Sequence, residues 1–63
     1  MTKEEIRIQM ICNMRTMSRS EMLEHLDQIE TNINFCSFIT PEQHLRLEVV
    51  SELRKKIIED GDI

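Results

Sequence analysis

The chain has 63 residues and a mass of 7.5 kDa, with 40% apolar residues, 32% charged residues and a formal net charge of −4. A chain of this length forms one domain at most, and its apolar content argues against a wholly disordered polypeptide. One Gly and one Pro leave too little turn chemistry for a many-stranded β fold. The chain is also too short to build the pocket and supporting shell of most enzymes. We therefore expect one helical domain over residues 1–63 that is not an enzyme and uses no cofactor and no small-molecule substrate.

Three segments carry the signal that opens an α-helix. Each is a Ser or Thr followed three positions later by Glu or Gln: Thr2-Lys3-Glu4-Glu5, Ser18-Arg19-Ser20-Glu21 and Thr40-Pro41-Glu42-Gln43. In such a capping box the hydroxyl accepts a hydrogen bond from the amide three residues on, and the later side chain accepts one from the amide of the first residue. Pro41 strengthens the third signal, because proline suits the first position of a helix.

These signals and the periodicity that follows them predict three helices, over about residues 3–16, 19–34 and 41–59. The segment from Phe35 to Ile39 has a strand-like composition, but it is short and runs directly into the third capping box. We therefore interpret it as a connection. Residues 60–63 are expected to form a frayed tail.

Apolar side chains follow one face of each predicted helix. In chain order the three faces are Ile6, Met10, Met14 and Met17; then Met22, Leu26, Ile29, Ile33 and Cys36; then Leu45, Val49, Leu53 and Ile57. The spacing in the second helix is that of a coiled-coil seam two heptads long. The pattern predicts an all-α fold in which the second and third helices form an antiparallel hairpin and the first packs across it.

Further apolar residues lie off these faces, among them Ile8, Ile11 and Ile58. A helix that is apolar on more than one side usually contacts more than one neighbour, and a small three-helix monomer offers each helix only two. This surplus predicts a helical homodimer. The residues expected at the dimer or partner interface are Ile6, Met10, Met14, Met17, Met22, Leu26, Ile29, Ile33, Phe35 and Phe38.

The methionines and the phenylalanines among these residues each have two possible interpretations. The methionines around the first helix junction suit either an adaptable binding surface or gap filling in a core, and we favour the core. Phe35 and Phe38 are the only aromatic residues, and they are natural anchors either in the core or in a partner's pocket.

Two cysteines and two histidines form a Cys₂His₂ set by composition: Cys12, His25, Cys36 and His44. No two of them have the close spacing that preorganises a zinc site, so we expect no metal. A structural disulfide is disfavoured in the cytosol. We interpret both cysteines as buried small apolar residues.

An acidic row in the second helix advances by three residues each time: Glu21, Glu24, Asp27 and Glu30. Such a row could mimic a phosphate backbone and compete for a basic partner. We favour a solvated helix face whose acids suit the N-terminal end of the helix dipole.

A basic run, Arg54-Lys55-Lys56, lies in the last turns of the third helix. Cations there complement the helix dipole, and Glu52 with Lys56 has the spacing of an ion pair within the helix. We do not expect nucleic acid as the main partner, because the chain is acidic and offers no aromatic platform. If nucleic acid is bound, the candidate phosphate contacts are Arg46, Arg54, Lys55 and Lys56.

The N-terminus, MTKEEIRIQM, has charges where a secretory signal needs an apolar stretch. The longest strictly apolar runs are pairs such as Val49-Val50, far short of a transmembrane span. The sequence therefore predicts a cytoplasmic protein with no membrane partner.

Two long stretches together resemble a known group of proteins. MTKEEIRIQMICNM, followed by INFCSFITPEQHLRLEVVSELRKKIIED, resembles the accessory proteins of the same length that lambda-like temperate phages encode between their exonuclease and excisionase genes. The resemblance covers the full chain. It implies an early, non-essential factor in the host bacterial cytoplasm that shifts the infected cell toward lytic development, and it carries over no functional residues.

We therefore expect a non-enzymatic protein that binds and modulates a host regulatory or replication protein. A second resemblance supports an alternative function. The segment QHLRLEVVSELRKKI is similar to the third helix of Hha-type modulators of nucleoid-associated proteins, although this chain lacks their Trp and Tyr and differs in register. The alternative is a small helical DNA-binding or nucleoid-associated transcription modulator.

Overall fold

The computed structural model describes residues 1–61 and contains three α-helices in that range. They are α1 (Lys3–Met14), α2 (Arg19–Asn34) and α3 (Pro41–Asp60). No strand occurs among these residues, so the all-α prediction is confirmed. The second helix has the predicted bounds, whereas α1 ends two residues before the predicted Thr16 and α3 extends one residue beyond Glu59.

All three helices begin with the predicted capping box, and both reciprocal hydrogen bonds are present in each. At α3 the Gln43 amide donates to the Thr40 hydroxyl at 3.2 Å, and the Thr40 amide donates to the Gln43 carboxamide oxygen at 2.9 Å. Each box satisfies two backbone N–H groups that have no acceptor within the helix.

The C-terminal end of α3 differs from the predicted frayed tail. Asp60 is still helical, and Gly61 ends the helix with a φ of 79°, a left-handed conformation that glycine adopts without a Cβ clash. The Gly61 amide donates to the Ile57 carbonyl at 2.8 Å, which closes the last turn. The other two residues of the predicted tail, 62 and 63, lie outside the described residues.

Helix α3 lies at the centre of the fold. It packs against both α1 and α2, whereas α1 and α2 approach each other much less closely. This arrangement agrees with the predicted hairpin of α2 and α3 with α1 packed on it. The core consists of Ile6, Met10, Met14, Met22, Leu26, Val49, Val50, Leu53 and Ile57.

Ion pairs join the outer helices to α3. The Glu52 carboxylate accepts from Lys3 Nζ at 2.8 Å and from Arg7 Nη2 at 2.7 Å, so it links α3 to α1. Glu52 therefore pairs across the helix interface rather than with Lys56. On the other side, Arg54 Nη1 donates to Glu30 of α2 at 3.1 Å.

Hydrogen bonds at this junction shift the titration of its groups. Donation from Lys3 and from Arg7 lowers the pKa of the Glu52 carboxyl from its ordinary value of 4.5. The same contact with Glu52 raises the pKa of the Lys3 ammonium above 10.5. Both groups are therefore held in their charged forms.

None of the helices within residues 1–61 combines the length and the apolar character that crossing a membrane requires.

Candidate interaction surface

The connection between α2 and α3 carries both aromatic residues, and both are exposed. The side chain of Phe35 is 85% exposed and that of Phe38 is 76% exposed. Phe35 caps α2 and its amide donates to the Thr31 carbonyl at 3.0 Å, while the Cys36 amide donates to Ile33 at 3.0 Å. These hydrogen bonds fix the backbone beside Phe35. We call the surface formed by Phe35 and Phe38 the aromatic end.

The ten residues predicted for an interface do not lie on one surface. Six of them are buried within the single chain: Ile6, Met10, Met14, Met22, Leu26 and Ile33. Met17 and Ile29 are half-buried against the core. The part of the predicted interface that remains fully open to a partner is therefore the aromatic end.

Three other large apolar residues are exposed, each by more than half: Met1, Ile8 and Ile58. Ile8 and Ile58 are residues that the helical periodicity placed off the buried faces. Single exposed apolar residues are common on protein surfaces and do not by themselves indicate a site.

The interpretation of the cysteines as buried residues is wrong. Cys12 and Cys36 are both free and exposed. Cys12 lies off the face of α1 formed by Ile6 and Met10, and Cys36 lies two residues beyond the end of α2. The Cys36 thiol donates to the Asn32 carbonyl at 3.3 Å. The off-face position of Cys12 was the signal that sequence reasoning could have used.

The Cys₂His₂ set is not assembled. Among residues 1–61 no three His, Cys, Asp or Glu side chains are placed to hold a metal ion. His44 is exposed in the first turns of α3, and His25 is half-buried on α2.

The candidate phosphate contacts differ in availability. Arg46 pairs with Glu42 at 3.6 Å, and Arg54 pairs with Glu30 and lies 3.9 Å from Asp27. Both arginines are half-buried, whereas Lys55 and Lys56 are exposed. Two of the four cations are therefore engaged in ion pairs within the chain.

The four acidic residues of the row on α2 also differ in whether they have a partner within the chain. Asp27 and Glu30 face Arg54, and the Glu21 carboxylate accepts from the Ser18 amide in the capping box. Glu24 is exposed. The row is thus not a uniform acidic stripe.

A depression of about 180 Å³ lies between α1 and α2 beside Arg46 of α3, and we call it the α1–α2 groove. A second depression, of about 360 Å³ between α2 and the start of α3, shares Ile29 and Arg46 with it. A third, of about 220 Å³ on α2 and Met17, shares His25 with it. Sequence reasoning missed the α1–α2 groove, because its walls combine polar residues from three helices and these have no common sequence pattern.

Comparisons with known proteins do not assign the chain to a family. No protein-family model, curated protein or solved structure matches it. The aromatic end and the α1–α2 groove are therefore the surface features that bear on function.

Proposed function

We propose that the chain is a non-enzymatic phage accessory protein that binds and modulates a host regulatory or replication protein in the bacterial cytoplasm, favouring lytic development. Its capacity to bind a protein is supported above all by the aromatic end. The phage origin and the lytic role rest on the resemblance of the sequence to small phage accessory proteins.

The exposure of both aromatic residues is the observation that carries the binding proposal. Burying a phenylalanine side chain is worth roughly 1.5–3 kcal/mol, and aromatic residues are frequent anchors at protein interfaces. Phe35 lies on backbone that hydrogen bonds already hold in place. Binding there would cost less conformational entropy than binding to a flexible loop.

A capture experiment with matched variants tests this proposal. The tagged wild-type chain, a Phe35→Ser/Phe38→Ser double variant and an Ile8→Ser/Ile58→Ser control are each incubated with bacterial lysate at near-physiological salt. We expect the wild type and the control to retain the same host protein and the aromatic variant to lose it. Circular dichroism of all three checks that the helices are intact.

Two results would contradict the proposal. One is that no host protein is retained above background by the wild type. The other is that the aromatic variant and the control retain the same proteins in equal amounts, because the aromatic end would then have no part in binding.

The alternative function, DNA binding, has one observation in its favour. Lys55 and Lys56 are exposed, and neither forms an ion pair with another residue in the range 1–61. Titration with duplex DNA at two salt concentrations tests it. Saturable binding that weakens steeply with salt and is lost in Lys55→Glu/Lys56→Glu would favour this alternative.

A further inference from the structure

We infer that Met17 is a site of oxidative modification, at which hydrogen peroxide forms methionine sulfoxide and thereby weakens the packing where α1 meets α2. The inference goes beyond the proposed function and does not depend on it, because it concerns one thioether and its effect on the fold.

The methionines around the core differ in their exposure to a dissolved oxidant. Met10, Met14 and Met22 are 5%, 1% and 4% exposed, whereas Met17 is half-buried at the edge of the same cluster. An oxidant must touch the sulfur, so of these four Met17 is the one that reacts while the fold is intact. Met1 is also exposed, but it precedes α1 and lies outside the core cluster.

The third depression gives the oxidant access to Met17. Its volume is about 220 Å³, and its other lining residues all belong to α2: Glu21, Glu24, His25 and Gln28. Hydrogen peroxide is not much larger than a water molecule, which occupies roughly 30 Å³. Met17 therefore borders a space that the oxidant can enter without any opening of the helices.

The reaction is a two-electron oxygen transfer from the peroxide to the thioether. The Met17 sulfur attacks one oxygen of hydrogen peroxide, an S–O bond forms and the O–O bond breaks. Proton transfer lets the other oxygen leave as water, so the sulfur is oxidised and the peroxide is reduced. The product is a polar, chiral side chain in place of a flexible apolar one.

The backbone at Met17 has little freedom to move in response. Residues 15–18 alone separate the end of α1 from the start of α2. The Met17 amide donates to the Met14 carbonyl at 3.1 Å, and the Met22 amide donates to the Ser18 carbonyl at 2.9 Å. A sulfoxide at Met17 must therefore either keep its S–O group against the core or turn its side chain away from it.

Both responses weaken the core. A polar group held among apolar side chains costs free energy unless it forms a hydrogen bond. The donors that line the depression beside Met17 are His25 and Gln28, neither of which belongs to the core cluster. Bonding to them draws the side chain away from the cluster that contains Met14 and Met22. Oxidation of Met17 should therefore be followed by oxidation of these two sulfurs.

Peroxide treatment of the full chain, followed by mass spectrometry of its proteolytic fragments, tests the inference. Cys12 and Cys36 are replaced by serine in every sample, because exposed thiols also consume peroxide. We expect Met17 to be oxidised about tenfold faster than Met10, Met14 or Met22, in line with its greater exposure.

Thermal unfolding measures the effect on the fold. We expect the species oxidised at Met17 to have a Tm about 5 °C below that of the untreated chain. Methionine sulfoxide reductases should restore the original Tm, because they return the sulfoxide to the thioether.

Matched variants assign the effect to this sulfur. Met17→Leu keeps an apolar side chain of similar volume but cannot form a sulfoxide, so peroxide should leave its Tm unchanged and should oxidise Met14 and Met22 more slowly. Met22→Leu removes a buried sulfur instead and should lose as much Tm on treatment as the parent chain. Met17→Gln places a polar group there without oxidant and should lower the Tm by a similar amount.

Three results would overturn the inference. Equal oxidation rates at Met17 and Met22 would mean that opening of the whole chain exposes every sulfur together. An unchanged Tm in the species oxidised at Met17 would mean that the core tolerates the sulfoxide. An equal loss of Tm in peroxide-treated Met17→Leu would place the sensitive group elsewhere.

Discussion

Each helix N-terminus is closed by side chains three residues apart, as at Thr40 and Gln43. Such hydrogen bonds depend on a few neighbouring residues and on no distant part of the chain. The residues that begin each helix could therefore be read directly from the sequence.

Removing one cap should have a measurable cost. We expect Thr40→Ala to lower the free energy of unfolding by about 1 kcal/mol, because the Gln43 amide loses its acceptor. Thr16→Ala is the matched control, since Thr16 is an exposed threonine in the connection before α2 that closes no helix. Urea unfolding followed by circular dichroism gives both values. Equal losses would mean that the cap contributes nothing specific.

The two cysteines show that burial cannot always be predicted from residue type. Cysteine is usually buried, yet Cys12 and Cys36 are exposed. Cys12 lies off the buried face of α1, so for this residue position on the helix was a better guide than residue type. Cys36 continues the apolar repeat of α2 in sequence, but the helix ends at Asn34 and the residue stays exposed.

At the scale of helices, the apolar face of α2 was predicted well but not completely. Met22, Leu26 and Ile33 are buried, while Ile29 is half-buried and lines the α1–α2 groove. The helical repeat in the sequence predicts which residues share a face of α2. How deeply each is covered depends on how closely α1 approaches, and no pattern within α2 contains that information.

Glu52 gives the α1–α3 contact a pH dependence. Its folded-state pKa lies below the ordinary 4.5, so its contribution to stability is present above that value and is lost as the pH falls through the folded pKa. The pKa of Lys3 is raised above 10.5, so its contribution is present below that value and is lost as the pH rises through the folded pKa. The ion pair therefore acts fully between these limits.

We expect Glu52→Gln to lower the Tm near neutral pH and to have little effect at a pH well below 4.5, where the wild-type carboxyl is also neutral. The effect at neutral pH should be modest and should shrink with added salt, since the group is exposed. Thermal unfolding across this pH range measures it. Glu59→Gln is the control, and a similar pH-dependent loss in that variant would refute the role of the Glu52 contact.

At the scale of the whole molecule, three helices cover most but not all of the apolar surface. Ten apolar side chains are buried, yet both aromatic residues stay exposed. Ile8 and Ile58, two of the off-face residues on which the homodimer prediction was based, are exposed on α1 and α3, whereas the two phenylalanines share one connection. Self-association and binding of a host protein would compete for that connection.

The homodimer prediction can be tested at this connection. If two copies meet through their aromatic ends, a short bismaleimide should cross-link them through Cys36, which lies between the two phenylalanines in the sequence. The Cys36→Ser variant should lose the cross-link and Cys12→Ser should keep it. Sedimentation equilibrium at tens of micromolar gives the mass directly, and a value of 7.5 kDa would refute the dimer.

The helix count, the capped starts and the faces that become buried could all be predicted from the amino-acid sequence. These features arise from hydrogen bonds and side-chain repeats within a few residues of one another. The packing of the helices makes α3 central, pairs Glu52 with α1, and leaves a polar groove and two phenylalanines uncovered. Those outcomes depend on which helices meet and how closely, because burial is a property of the packed molecule rather than of any single segment.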